Sequence, residues 1–403
     1  MIRISTARLA LIVTMVFVVC VTLLNQRPTV AYQVALAYDL LAVLLFTLFL
    51  RPAPIAGPIS TILLAFGALS VFSTFMFYVT SSAVLWEPLA GFIFSVLITI
   101  SMSRLLVHDP DGIEIVKAVL VAALFPAVFK TVENSLESEQ FYGWTRQTQW
   151  GDALGALAPM VLLIRRQWLR TILVLILLTA LLISLKRSAF LVGIVIILVQ
   201  VTKIRLKRNI RPRTLFGGIL SIAFLIGSMV YLAQSTEVAQ YYDIMSRRLD
   251  NIATDKGSGR LDLWAFASDL MSESNLYHII FGYGFGWYHQ NWQHFGTGIE
   301  SLHNDVMEVW LSLGLVGVIC YLAFLGRIAF LSLSVAKSRP ELREFALSVF
   351  PIYLVYAAVA GTFFYFYYFV PLFVAIGYLE ALRHGIQHPV PGNIKLTRKR
   401  VTS

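Results

Sequence analysis

The chain has 403 residues, of which 58% are hydrophobic and only 13% are charged, and its mean hydropathy is +0.75. Water-soluble domains carry about 25% charged residues, so the composition excludes an ordinary soluble protein. Together with repeated apolar runs it predicts an all-α polytopic membrane protein. The two cysteines, Cys20 and Cys320, lie within apolar runs and provide neither a disulfide framework nor a metal site.

Twelve apolar runs are predicted to be membrane-spanning helices. They lie at residues 8–25, 33–50, 57–79, 84–107, 112–130, 152–164, 168–185, 187–202, 214–233, 303–334, 342–362 and 364–382. The first run follows two arginines, as in a signal peptide, but no small-residue cleavage pattern follows it, so we expect a retained helix. The runs divide the chain into spans one to nine (1–233), a loop with short helices (234–302), spans ten to twelve (303–382) and a basic tail (383–403).

The basic residues are distributed unevenly over this topology. If the N-terminus is cytoplasmic, the cytoplasmic segments hold more than twice as many Lys and Arg residues as the opposite segments. The positive-inside rule therefore predicts that both termini are cytoplasmic and that the loop 234–302 lies on the outer face. The net charge of +10 is then mostly a topology signal, and we expect no nucleic-acid partner.

Two adjacent cations, Lys186 and Arg187, interrupt a long apolar run on the outer face. A charge in hydrocarbon costs about 2.5–3.5 kcal/mol at a helix centre and less at an interface. One interpretation is a tight turn whose cations snorkel to the headgroups. The other is a phosphate-binding corner in which Arg187 presents its planar fork to a diphosphate. The outer position of the cations favours the second interpretation.

Within the loop, the stretch 257–264 reads as a flexible Gly-rich entry into a helix, with Ser258 as a possible N-cap. Arg260 lies in the first turn of that helix, where a cation is unfavourable for the helix dipole. This suggests an anion ligand, and the alternative is a solvated arginine. The glycines of 282–286 lack the spacing of a dinucleotide fingerprint and predict a backbone turn that approaches a ligand or a neighbouring helix.

A polar cluster, 303–308, opens the tenth predicted span. Asn304 and Glu308 are four residues apart and therefore share a helix face. His303 is the side chain best suited to proton transfer near neutral pH, and the alternative is a capping or interface residue. We predict no metal site, because His289 and His294 of the loop have no carboxylate or cysteine at convincing spacing.

Together these motifs resemble the bacterial O-antigen ligase and O-antigen polymerase superfamily. The corner Lys186-Arg187-Ser188 is similar to the family's Arg-Ser/Thr turn at the outer end of a helix. The stretch 258–286 is similar to its Gly-Arg…Trp…Gly-x-Gly pattern. His303-Asn304 with Glu308, followed by the run 314–317, resembles its His-Asn/Ser…Glu…Gly-Leu-x-Gly signature. The resemblance covers about residues 180–320.

The resemblance implies an inverting, metal-independent glycosyltransferase of the membrane-embedded GT-C type, with no cofactor. Its donor would be a glycan on undecaprenyl diphosphate at the periplasmic leaflet of the bacterial inner membrane, with the polyprenyl tail sheltered among membrane lipids and apolar spans. A ligase transfers the glycan to a sugar hydroxyl of lipid A–core, and a polymerase transfers it to another lipid-linked repeat. We favour the ligase, because the long Arg-rich loop suits a heavily phosphorylated acceptor.

The resemblance also implies roles for individual residues. Arg187 and Arg260 would neutralise the leaving diphosphate. His303 would take the proton of the acceptor hydroxyl, orient the acceptor or contact phosphate. Glu308 would orient His303 or the local backbone. The residues expected to bind substrate are Lys186, Arg247, Arg248, Lys256, Asn304 and Glu308.

A lipid or solute transporter is the alternative from another functional class. It predicts inverted repeats and charges near the midplane of the membrane. We expect Arg327 to be the only charge deep within a span, near the cytoplasmic end of its helix and with its cation snorkelling to the headgroups. The oligomeric state stays open.

Overall fold

The computed structural model describes residues 58–80, 86–136, 149–184, 186–206, 260–285, 287–291, 301–362 and 366–387. Every regular element within these residues is a helix, and they contain no strand. The predicted spans 8–25, 33–50 and 214–233 lie outside the described residues, as do Arg247, Arg248, Lys256 and the tail after residue 387.

The described residues contain nine helices at predicted spans and three helices within the predicted loop. The helices at predicted spans are α1 (Pro58–Thr80), α2 (Trp86–His108), α3 (Ile113–Leu136), α4 (Gln149–Leu162), α5 (Gln167–Ile183), α6 (Arg187–Leu206), α10 (Asp305–Ser338), α11 (Arg343–Val359) and α12 (Phe366–Gln387). The loop helices are α7 (Arg260–Ser272), α8 (Leu276–Phe281) and α9 (Trp287–Asn291).

The described helices agree with a membrane protein built from helices alone. Among them, Pro110–Val132, Asp305–Ser338 and Pro340–Val359 are long and apolar enough to cross a membrane. Shorter apolar stretches lie in α1, α2, α4, α5 and α6. The total of twelve spans stays a prediction.

Helix α12 lies at the centre of the bundle and packs closely along α2. A Cβ atom at Gly377 would lie 2.5 Å from the carbonyl oxygen of Thr99, so the two helices approach almost to backbone contact. The hydroxyl of Thr99 donates a hydrogen bond to the carbonyl of Phe373 at 3.4 Å. Because α12 is buried along most of its length, it forms the core on which the other helices pack.

Helix α10 is interrupted at Gly314, where the backbone adopts φ 62° and ψ −160°. The break leaves the carbonyls of Leu311 and Ser312 available, and they accept the amides of Tyr283 and Gly284 at 2.8 and 2.9 Å. The prediction of a continuous helix over 303–334 was therefore wrong at this point. The Gly-rich turn of the loop does approach a neighbouring helix, as predicted, and it fastens the loop to α10.

The prediction that the cation of Arg327 snorkels to the headgroups was wrong. Its guanidinium lies 3.5 Å from the buried carboxylate of Glu380 on α12 and 5.1 Å from the centre of the Phe330 ring. Glu380 also accepts the amide of Ile59 at the start of α1. The charge is thus paired within the bundle, as a buried charge requires.

Candidate active site

The corner between α5 and α6 is tight and packs against α4. Ser184 ends α5, its hydroxyl donates to the carbonyl of Leu181 at 2.7 Å, and α6 begins three residues later at Arg187. A Cβ atom at Gly151 of α4 would lie only 2.7 Å from the Ser184 hydroxyl. The glycine therefore allows α4 to bring its first turn directly beneath the two cations of the corner.

Asp152, in that first turn, is a buried carboxylate that sequence reasoning did not select. It is 3% exposed, and it accepts hydrogen bonds from the ammonium of Lys186 and, at 2.9 Å, from the hydroxyl of Ser188. Lys186 therefore does not snorkel, because its charge is paired inside the protein. A signal was present in the sequence, since Asp152 is an acidic residue at the start of an otherwise uncharged predicted span.

Helix α7 places Arg260 beside this carboxylate. Leu263, Ala267 and Met271 bury one face of α7 in a cluster with the first residues of α10, and the indole of Trp264 donates to the carbonyl of Leu302 at 2.9 Å. Arg260 begins α7, as predicted, and its charge acts on both Asp152 and His303. Three segments that are distant in sequence thus meet at one end of the bundle.

His303 lies in the turn before α10. Together with Asp152, Lys186 and Arg260 it makes up the polar cluster of the site. Burial, together with the positive charges of Arg260 and Lys186, lowers the pKa of its imidazole to about 4, whereas a hydrogen bond to the carbonyl of Ala360 acts in the opposite direction. The ring is therefore neutral at pH 7. Since one nitrogen of a neutral imidazole donates to Ala360, the other keeps a lone pair that can accept a proton.

Glu308 and Asn304 hold the turn that carries His303. One carboxylate oxygen of Glu308 accepts the hydroxyl of Ser301 at 2.7 Å and the amide of Leu302 at 2.6 Å, and the Ser301 hydroxyl accepts the amide of His303 at 3.1 Å. Asn304 caps α10 by accepting the amide of Met307 at 3.1 Å. Glu308 was expected to orient either His303 or the local backbone. These contacts agree with the second role, orientation of the backbone.

Asp305 is a second buried carboxylate that sequence reasoning missed. It accepts the amide of Thr362 at 2.6 Å, the hydroxyl of Thr362 and the hydroxyl of Tyr321 at 2.8 Å. These bonds hold the turn at Ala360 and Gly361, where φ is 78° at the glycine. Because Ala360 accepts the imidazole of His303, Asp305 supports the orientation of that ring.

Within the described residues, no three His, Cys, Asp or Glu side chains are grouped so that they could hold a metal ion. The structure brings Lys186 and Arg260 close enough for their charges to act on both Asp152 and His303, and Arg187 is adjacent to Lys186 at the start of α6.

The described helices and this cluster define a helical membrane protein with a cationic, histidine-containing site at one end of its bundle. Residues 172–322 match a family model described as O-antigen ligase. The matched stretch contains Arg187, Arg260 and His303, so the resemblance predicted from the motifs is confirmed over residues 172–322. The match supports an O-antigen-ligase-like function in polysaccharide biosynthesis. A comparison with curated proteins gave no match.

Proposed function

We propose that the protein is an O-antigen ligase that transfers a glycan from undecaprenyl diphosphate to a sugar hydroxyl of lipid A–core in lipopolysaccharide biosynthesis. The observation that carries the proposal is that the charges of Lys186 and Arg260 act on His303, and that all three residues lie inside the stretch that matches O-antigen ligase. The site would lie at the periplasmic face of the bacterial inner membrane, with both termini cytoplasmic.

The reaction is a GT-C-type displacement with inversion. The acceptor oxygen forms a bond to the anomeric carbon of the donor while the bond from that carbon to the diphosphate oxygen breaks. The electron pair of the broken bond leaves with undecaprenyl diphosphate, whose negative charge increases. Arg187 and Arg260 would donate charge-assisted hydrogen bonds to the leaving diphosphate. They would stabilise its developing negative charge without a metal ion. Residues Arg247, Arg248 and Lys256 of the loop would guide the anionic substrates.

His303 takes the proton that the acceptor hydroxyl loses. A neutral imidazole can accept a proton on one ring nitrogen, and general-base catalysis contributes typically 10²–10⁴-fold to the rate. A bound diphosphate would offset the charges of Arg260 and Lys186, which lower the pKa of His303. The donor would therefore raise that pKa from about 4 towards neutrality and make His303 a stronger base when the substrate is in place.

An O-antigen polymerase would use the same chemistry with a different acceptor. Its acceptor is another lipid-linked repeat, and the described contacts of His303 and Arg260 would serve it equally. The Arg-rich loop and the description of the matched family favour the ligase. The two functions leave different products in the cell, so a single complementation experiment separates them.

The test is complementation of a strain that lacks the protein with the variants His303→Ala and Arg187→Ala, followed by gel analysis of lipopolysaccharide. The controls are His384→Ala and Arg166→Ala, which change the same residue types outside the cluster. We expect bare core and accumulated long undecaprenyl-linked polymer from both site variants, at normal membrane levels, and a normal ladder from both controls. Core that carries a single repeat would instead identify a polymerase. A normal ladder from both site variants would remove these residues from the mechanism.

A further inference from the structure

A buried carboxylate stands inside a site assigned to a diphosphate. Asp152 is 3% exposed, and the cations Lys186 and Arg260 act on it. A negative charge at this position repels the diphosphate that the site is proposed to bind, and burial of a carboxylate is unfavourable unless it is well paired. Asp152 therefore requires a role that outweighs both effects.

The two oxygens of Asp152 hold the residues on either side of Arg187. One oxygen accepts the ammonium of Lys186 and the other accepts the hydroxyl of Ser188 at 2.9 Å. Arg187 is the first residue of α6, so the corner is anchored both before and after it. These two anchors constrain the chain on either side of Arg187, and with it the point at which the side chain of Arg187 leaves the helix.

The helix that carries Asp152 is a rigid support for these anchors. Residues 151–163 are all buried. A Cβ atom at Gly155 would lie 1.7 Å from the hydroxyl oxygen of Tyr356, and the same hydroxyl donates to the carbonyl of Gly151 at 3.5 Å. Close packing of this kind fixes a side chain to within a fraction of an ångström, as a preorganised site requires.

We propose that Asp152 is a positioning residue that acts through Lys186 and Ser188 to hold Arg187 at the diphosphate of the donor, an inference that rests on the function proposed above. Both of its oxygens accept hydrogen bonds within the corner, which assigns Asp152 to the corner, while the proton of the acceptor goes to His303 as proposed above. Its charge also balances Lys186, which keeps two neighbouring cations folded into one corner before the donor arrives.

The experiment is steady-state kinetics of the purified full-length protein in detergent, with a lipid-linked glycan as donor and lipid A–core as acceptor. We expect Asp152→Asn to lower kcat about 100-fold, the effect of roughly 1 Å of misplacement of a catalytic group. The KM for the donor should change little, because the loss concerns charge that develops in the transition state. Ser188→Ala, which removes one anchor, should lower kcat by a smaller factor. The matched control is Asp269→Asn, an exposed aspartate of α7, which should keep the wild-type kcat.

A double variant separates positioning through Lys186 from an independent role. If Asp152 acts through Lys186, then Asp152→Asn combined with Lys186→Met should be no slower than the slower single variant, because residues in one chain of contacts are not additive. Multiplication of the two losses would overturn the proposal, as would wild-type kcat in both Asp152→Asn and Ser188→Ala. If Asp152→Asn is not recovered as folded protein, Ser188→Ala decides the question in the same assay. Failure of the wild-type protein to transfer glycan would instead count against the proposed function itself.

Discussion

His303 is held in a backbone conformation that few residues other than glycine adopt. Its φ is 51°, and the left-handed region costs about 1–2 kcal/mol for a residue with a side chain. The amide bond to the Ser301 hydroxyl and the ring contact with the Ala360 carbonyl hold this conformation. Backbone strain of this kind is concentrated at functional sites, and here it aims a neutral imidazole towards two cations.

The pKa of His303 should rise when one of those cations is removed. We expect Arg260→Gln to raise it above about 4, because the charge of Arg260 is one of the causes that lower it. His303 accepts a proton only above its pKa, so activity is lost as the pH falls through that value. The pH at which kcat/KM falls on the acid side should therefore be higher in Arg260→Gln than in the wild type.

The matched variant for this comparison is Arg260→Lys, which shortens the side chain but keeps its charge. Its acid limb should stay near that of the wild type even if its rate is lower, since Lys cannot replace the fork of Arg. An acid limb that does not move in Arg260→Gln would show that Arg260 does not act on His303 electrostatically.

At the scale of the helices, the break in α10 joins the loop to the bundle. Gly314 and Gly282 face one another, and both adopt positive φ. A Cβ atom at Gly314 would lie 2.4 Å from the carbonyl carbon of Ile280, and a Cβ atom at Gly282 would lie 2.3 Å from that of Ser312. The contact is backbone against backbone, so no side-chain rotation can relieve it, and only glycine fits at either position.

Gly314→Ala should therefore destabilise the protein by about 1–3 kcal/mol or more, the usual effect of overpacking added to an unfavourable φ. Its control is Gly326→Ala in the same helix, where a Cβ atom would meet nothing within 4 Å. That substitution should be neutral or stabilising by up to about 1 kcal/mol, because alanine is the better helix former.

The measurement is the midpoint of thermal unfolding in detergent, with tryptophan fluorescence as the signal. We expect a lower midpoint for Gly314→Ala and an unchanged or higher midpoint for Gly326→Ala. Equal midpoints for the two variants would mean that the break in α10 does not hold the loop.

At the scale of the whole molecule, hydropathy was sufficient to locate the helices but not their partners. A helix in contact with lipid must be apolar along its length, so α1 to α6 and α10 to α12 lie within a few residues of the predicted spans. The break at Gly314 has no such signal, because glycine also occurs within continuous membrane helices. Asp152 and Asp305 pair with residues 34 and 57 positions away along the chain. Contacts between residues so far apart cannot be read from a single sequence.

The cluster around His303 and the ion pair of Arg327 lie at opposite ends of the bundle. The cluster around His303 lies at the start of α10, whereas Arg327 lies 22 residues after Asp305, roughly 33 Å further along a helix. That separation matches the thickness of the hydrocarbon core. If the cluster faces the periplasm, as the distribution of basic residues predicts, residues after Arg327 should face the cytoplasm.

Single cysteines test this orientation directly, in a protein whose Cys20 and Cys320 have been replaced by serine. Ser272→Cys, at the exposed end of α7, and Ser338→Cys, at the exposed end of α10, form a matched pair of serines. In cells with a permeable outer membrane and an intact inner membrane, an impermeant thiol reagent should label Ser272→Cys and not Ser338→Cys. Both should react once the inner membrane is disrupted. Labelling of Ser338→Cys alone in intact cells would place the cluster in the cytoplasm, away from the leaflet where a periplasmic ligase meets its donor.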